Sequence, residues 1–148
     1  PVAMTQTPRD ETGRITLLVG QMGPIQNEAD SLVAFYSLDG KPLLHLKTGL
    51  YDIISLQYGP KKLPYEKSHL YALDYSWANP DEGKLVRLVA ELDDNGKQTV
   101  TAVKLASLVY PTSMAFGNED QLYVTLLSTK DGADEPNGSL IKFVEPNL

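Results

Sequence analysis

The chain has 148 residues, 42% of them hydrophobic, and carries 19 acidic against 13 basic side chains for a formal charge of −6; this disfavours nucleic acid as a partner, because phosphate binding needs clustered Lys and Arg. Cysteine is absent, which removes disulfides, thiolate metal sites and cysteine nucleophiles from consideration. No window approaches the roughly 18 uninterrupted apolar residues of a spanning helix, so no membrane span is expected.

From the start of the chain, short apolar runs rich in β-branched and aromatic residues alternate with Gly, Pro, Asn and Asp, the pattern of antiparallel strands joined by turns. A first unit, about residues 1–50, holds runs at 1–4, 13–20, 31–36 and 42–47. A second, about 51–108, holds runs at 53–59, 69–75, 84–90 and 99–105. A third, about 109–148, holds runs at 111–117, 121–127 and 139–144 and lacks a fourth. Asp39-Gly40 and Asn95-Gly96 each separate a third run from a fourth, with the residues that a short hairpin requires.

The units resemble one another. Leu70-Tyr71-Ala72 matches Leu122-Tyr123-Val124 at an offset of 52, and the segment from Gly83 to Leu88 matches that from Gly138 to Phe143 at an offset of 55. Pro1-Val2-Ala3-Met4 likewise resembles Pro111-Thr112-Ser113-Met114. Repeats of about 50 residues with four strands each mark propeller blades, whereas helical solenoids have shorter repeats with a 3.6-residue period. The expected fold class is therefore all-β, with about three antiparallel four-stranded propeller blades, the last incomplete. The missing fourth run suits ring closure by a strand from a distant N-terminal segment, and on that logic Leu148 is a true C-terminus. Three blades cannot close a ring, and open end blades expose strand edges and apolar faces. The expected partner is the remaining propeller half, supplied by another chain or by a second copy.

The segment Leu108-Val109-Tyr110-Pro111-Thr112-Ser113-Met114-Ala115-Phe116-Gly117, followed by Leu122-Tyr123-Val124-Thr125 and Gly138-Ser139-Leu140-Ile141-Lys142, resembles the blade pattern of the six-bladed propellers of the NHL-repeat and gluconolactonase-like group. The resemblance spans essentially the whole chain and implies the C-terminal half of a six-bladed β-propeller, with a slight preference for an extracytoplasmic or secreted location. The architecture serves lactonases, sugar oxidoreductases and non-catalytic binding modules alike. In lactonase-like members a divalent metal, often calcium, sits in the central channel on oxygen ligands from strand starts. Here Asp52 alone stands at such a position, while Tyr110 occupies another.

Residues just before innermost strands converge on one mouth of a propeller channel, which makes Tyr51, Asp52 and Tyr110 the binding candidates there. An acid beside aromatics can bind a cation or a sugar hydroxyl, although Asp at a strand start also forms turns with its own backbone. Trp77, the only tryptophan, lies on a loop between the second and third runs, where it either anchors a small-molecule or protein ligand or covers a sheet edge. Asp131, Asp134 and Glu135 belong to an acidic loop with oxygen ligands suited to calcium, or to a solvated hairpin. His45 and His69 lie within apparent strands and read as structural. Gly20-Gln21-Met22-Gly23 reads as a turn. The leading functional expectation is a ligand- or protein-binding scaffold; the alternative is a lactonase or sugar oxidoreductase with a metal or quinone in the channel.

Overall fold

The computed structural model describes residues 2–24, 28–61, 67–127 and 138–144. Among them the regular structure is strand, apart from two single 3-10 turns at Pro80–Glu82 and Asn118–Asp120. Three antiparallel sheets follow one another along the chain, each a simple meander. The first holds β1 (Ala3–Gln6), β2 (Leu17–Gln21), β3 (Leu32–Tyr36) and β4 (Pro42–Lys47). The second holds β5 (Ile53–Tyr58), β6 (Leu70–Asp74), β7 (Lys84–Leu92) and β8 (Gln98–Ser107). The third holds β9 (Pro111–Phe116), β10 (Leu122–Leu126) and β11 (Ser139–Phe143). The all-β expectation holds, and the strands fall on the runs of the sequence. The acidic-loop candidates Asp131, Asp134 and Glu135 lie outside the described residues.

Local chemistry sets the hairpins. In the β3–β4 turn Gly40 has φ +83° and its N–H donates to Ser37 O at 2.9 Å; in the β7–β8 turn Gly96 has φ +73° and donates to Asp93 O at 2.8 Å. The first residue of each turn also caps it, Ser37 Oγ accepting from Lys41 N–H and Asp93 Oδ1 from Lys97 N–H. Glycine is required because the fourth position of such a turn is left-handed. The same device recurs where the sequence reading expects strand. Asp10 Oδ1 accepts the N–H groups of Thr12 and Arg14, and Gly13 has φ +79°. Residues 13–16 are thereby committed to the β1–β2 turn, and β2 starts only at Leu17.

A second correction concerns Gly20. It belongs to β2, not to a turn, and a Cβ there would stand 2.7 Å from Ile53 Cγ2. The missing side chain lets β2 approach β5 of the next sheet.

The sheets pack face to face, with β1 against β5, β5 against β9 and β4 against β8. Between the first and second sheets lie Leu18, Val33, Leu46, Leu50, Ile53 and Val86, and between the second and third lie Leu73, Leu85, Leu108, Met114, Leu122 and Val124. The second sheet buries both faces, which is why β6 is buried at every position and reads as a continuous apolar run instead of an alternating one.

Candidate functional site

Between β4 and β5 the chain crosses from the first sheet to the second; Thr48 N–H, Leu50 O and Asp52 O find backbone partners there, whereas Tyr51 N–H, Tyr51 O, Asp52 N–H and Ile53 N–H bond to side chains. Buried side chains satisfy them, as buried polar backbone requires. Ser31 Oγ donates to Tyr51 O at 2.6 Å and accepts from Ile53 N–H at 3.3 Å. Asp74, at the end of β6 and fully buried, accepts Asp52 N–H at 2.7 Å through one oxygen and Tyr51 N–H at 3.2 Å through the other. Lys84 opposes Asp74 in the β6–β7 register and places Nζ 3.3 Å from Oδ2. That pairing offsets the cost of burying a carboxylate. The same ammonium lies 5.3 Å from the centroid of the Tyr51 ring.

Asp52 faces the other way. It is 2% exposed; its Oδ2 accepts Trp77 N–H at 2.7 Å and its carbonyl accepts Tyr75 N–H at 2.9 Å. One residue thus clamps both ends of the Tyr75-Ser76-Trp77 segment. Burial pushes the Asp52 carboxyl above its ordinary value; the Trp77 N–H pulls it back, while the charges of Asp74 and Asp30 push it further up. The Glu82 carboxylate raises the Tyr51 phenol, with desolvation adding to the effect.

The clamped segment is bent. Ser76 has φ +54°, and Tyr110, on the junction before β9, has φ +51°, a region that costs a non-glycine residue about 1–3 kcal/mol. Ser76 Oγ is buried with no hydrogen-bond partner among the described residues. Between the two strained residues stands an aromatic stack. Tyr75 is buried, its ring centroid 4.1 Å from that of Trp77 at 32° and 5.6 Å from that of Tyr110. Trp77 is 46% exposed, so one part of the indole covers Tyr75 and the rest meets solvent.

Tyr51, Asp52 and Tyr110, expected together, and Trp77, expected as a separate surface candidate, meet at one end of the second sheet. Ser31, Asp74, Tyr75 and Lys84 complete the cluster and were missed. A signal for one pair was present: Asp74 and Lys84 end the second run and begin the third, and hairpin pairing makes such residues cross-strand neighbours. His45 is exposed on β4, its ring 6.1 Å from that of Tyr36.

The donor set at this end does not fit the calcium ion implied by the resemblance. One Asp52 oxygen is taken by Trp77 N–H, Asp74 is engaged by two N–H groups and Lys84, and Tyr110 contributes no carboxylate. Among the described residues no group of three or more His, Asp or Glu is arranged to hold a metal. Comparison of the chain with protein-family models, with curated proteins and with solved structures gives no match in any of the three.

Proposed function

We propose that this chain is a propeller-type binding scaffold, half of a six-bladed β-propeller, whose ligand contact is the aromatic step of Trp77, Tyr75 and Tyr110 above Asp52. Successive meanders of four, four and three strands, with first strand packed on first strand, support the blade reading. The observation that carries the binding site is the half-exposed Trp77, stacked at 4.1 Å on Tyr75 and fixed through its backbone by a buried carboxylate. An exposed indole held this rigidly loses little entropy when a flat ligand stacks on it. The apolar face of a pyranose ring suits such a platform.

The enzymatic alternative, a lactonase or sugar oxidoreductase, has less support. The carboxylates of Asp52 and Asp74 are engaged by backbone N–H groups and by Lys84, which makes them positioning groups for the loops around them.

A glycan array followed by titration of Trp77 fluorescence tests the binding reading. At least one saccharide is expected to bind and shift the emission, and Trp77→Ala, followed by calorimetry because it removes the only tryptophan, should weaken that binding by about tenfold or more, equivalent to roughly 1.4 kcal/mol, while keeping the wild-type circular dichroism. Binding of equal strength in the variant, or no saccharide bound, would remove the proposal.

A further inference from the structure

The middle sheet ends on β8, and among the described residues no strand lies beyond it. With ten residues β8 is the longest of the described strands; β4, the matching edge of the first sheet, has six. Proteins blunt such edges with proline, charge, bulges or short strands, because an open edge is a template for another chain. β4 is blunted in this way: it opens with Pro42, which has no N–H to offer, and carries His45 and Lys47. In β8 the register is unbroken from Gln98 to Lys104 and shifts only beyond it. The stretch Gln98–Val103 has no proline and no charge, and its Thr99, Val100, Thr101 and Val103 are β-branched, the residues that favour an extended strand.

The turn fixes which backbone groups of this stretch are open. Asp93 N–H donates to Lys97 O at 2.9 Å, so those two residues form a hydrogen-bonded pair. Hydrogen-bonded and non-hydrogen-bonded pairs alternate along an antiparallel ladder. Glu91 with Thr99, Val89 with Thr101 and Arg87 with Val103 are therefore bonded across β7 and β8, whereas the pairs at Gln98, Val100 and Ala102 are not. The N–H and C=O groups of Gln98, Val100 and Ala102 point away from β7, out of the sheet edge. The Val100 and Ala102 side chains pack on the core between the first and second sheets, which holds that row of donors and acceptors in place.

Charge selects what can dock there. Lys97 and Lys104 bracket the stretch; both are exposed, and neither is in an ion pair among the described residues. Two copies of β8 paired antiparallel about the middle of the stretch would set Lys97 against Lys104 twice, and like charges directly opposite are destabilising. A foreign strand with carboxylates at those two places gains instead. The geometry points to strand addition: β8 takes up an extended peptide segment of a partner protein, uncharged and β-branched along Gln98–Val103 with an acidic side chain opposite Lys97 and another opposite Lys104. The inference stands on sheet order and register and is independent of the aromatic step at Trp77.

Residue-by-residue amide exchange on the 148-residue chain, with the acetylated and amidated peptide Glu-Thr-Val-Thr-Val-Thr-Val-Glu as probe, tests it. The peptide should slow exchange at Gln98, Val100 and Ala102, while Thr99, Thr101 and Val103, already bonded to β7, change little. Exchanging both Glu residues of the peptide for Lys should weaken binding by about tenfold or more, since two attractive cross-strand pairs become repulsive. The double variant Lys97→Glu, Lys104→Glu alters only exposed side chains, so it should keep the wild-type circular dichroism and reverse the preference between the two peptides. No slowing at Gln98, Val100 and Ala102 with the probe at millimolar concentration would overturn the inference. Equal binding of the two peptides, or slowing that does not alternate along β8, would overturn it as well.

Discussion

Asp52 and Asp74 are both buried acids, two strands apart in the chain, yet they differ in what balances them. Asp74 has Lys84 and two backbone donors. Replacing it with Ala strands those donors and leaves Lys84 unpaired, and should cost about 3–5 kcal/mol, the usual penalty for breaking a buried pair, measured as a fall in the urea midpoint. Asp52 has one backbone donor on its carboxylate and two like charges nearby, and its proton is held more tightly in the folded protein than in the unfolded chain. Its carboxyl therefore favours folding most at acid pH, below the ordinary carboxylate value near 3.8, and that contribution disappears as pH rises through the raised folded value. Asp52→Asn keeps an acceptor oxygen for Trp77 and carries no charge. Relative to wild type the variant should gain stability on going from pH 3 to pH 7; an equal offset at both values in chemical denaturation would refute the assignment. At this scale the sequence showed Asp52, because a lone acid just before the first apolar run of a unit stands out. It hid Ser31 and Asp74, whose roles arise only when a sheet-to-sheet crossing brings backbone groups from 20 to 23 residues away.

Strands and hairpins were the most legible elements, since each has a local cause: alternating or continuous apolar runs, then a glycine with a capping oxygen three residues earlier. The turn after Asp10 escaped because Ile15 and the Leu17-Leu18-Val19 run make the segment from Gly13 to Gly20 read as strand, and only the spacing of Asp10, Gly13 and Arg14, shared with Asp93, Gly96 and Lys97, separates turn from strand. Glycines divide by mechanism accordingly. Gly96 has a left-handed φ and open space around it, so Gly96→Ala should cost about 1–2 kcal/mol through backbone strain alone. Gly83 has an ordinary φ of −57°, but a Cβ there meets the Leu108 carbonyl oxygen, whose residue donates its N–H to Gly83 O at 2.8 Å. Gly83→Ala should therefore cost about 1–3 kcal/mol through overpacking and should also loosen the β7–β8 pairing at Ser107, seen as faster amide exchange there; unchanged exchange would contradict that cause.

For the whole molecule, the three meanders were readable because the strands of the second and third sheets bury apolar residues at corresponding positions, as Leu70-Tyr71-Ala72 and Leu122-Tyr123-Val124 do at an offset of 52. Which faces meet was not readable, since packing between sheets depends on long-range geometry and on small residues such as Gly20, taken from the sequence as part of a turn. The direct measurement is a set of nuclear Overhauser contacts between sheets. The stacking of meanders predicts contacts from Gly20 Hα to the Ile53 γ2-methyl group and between the Tyr71 and Phe116 rings, whose centroids are 5.3 Å apart. Strong contacts within each meander with none between Gly20 and Ile53, or between Tyr71 and Phe116, would contradict it.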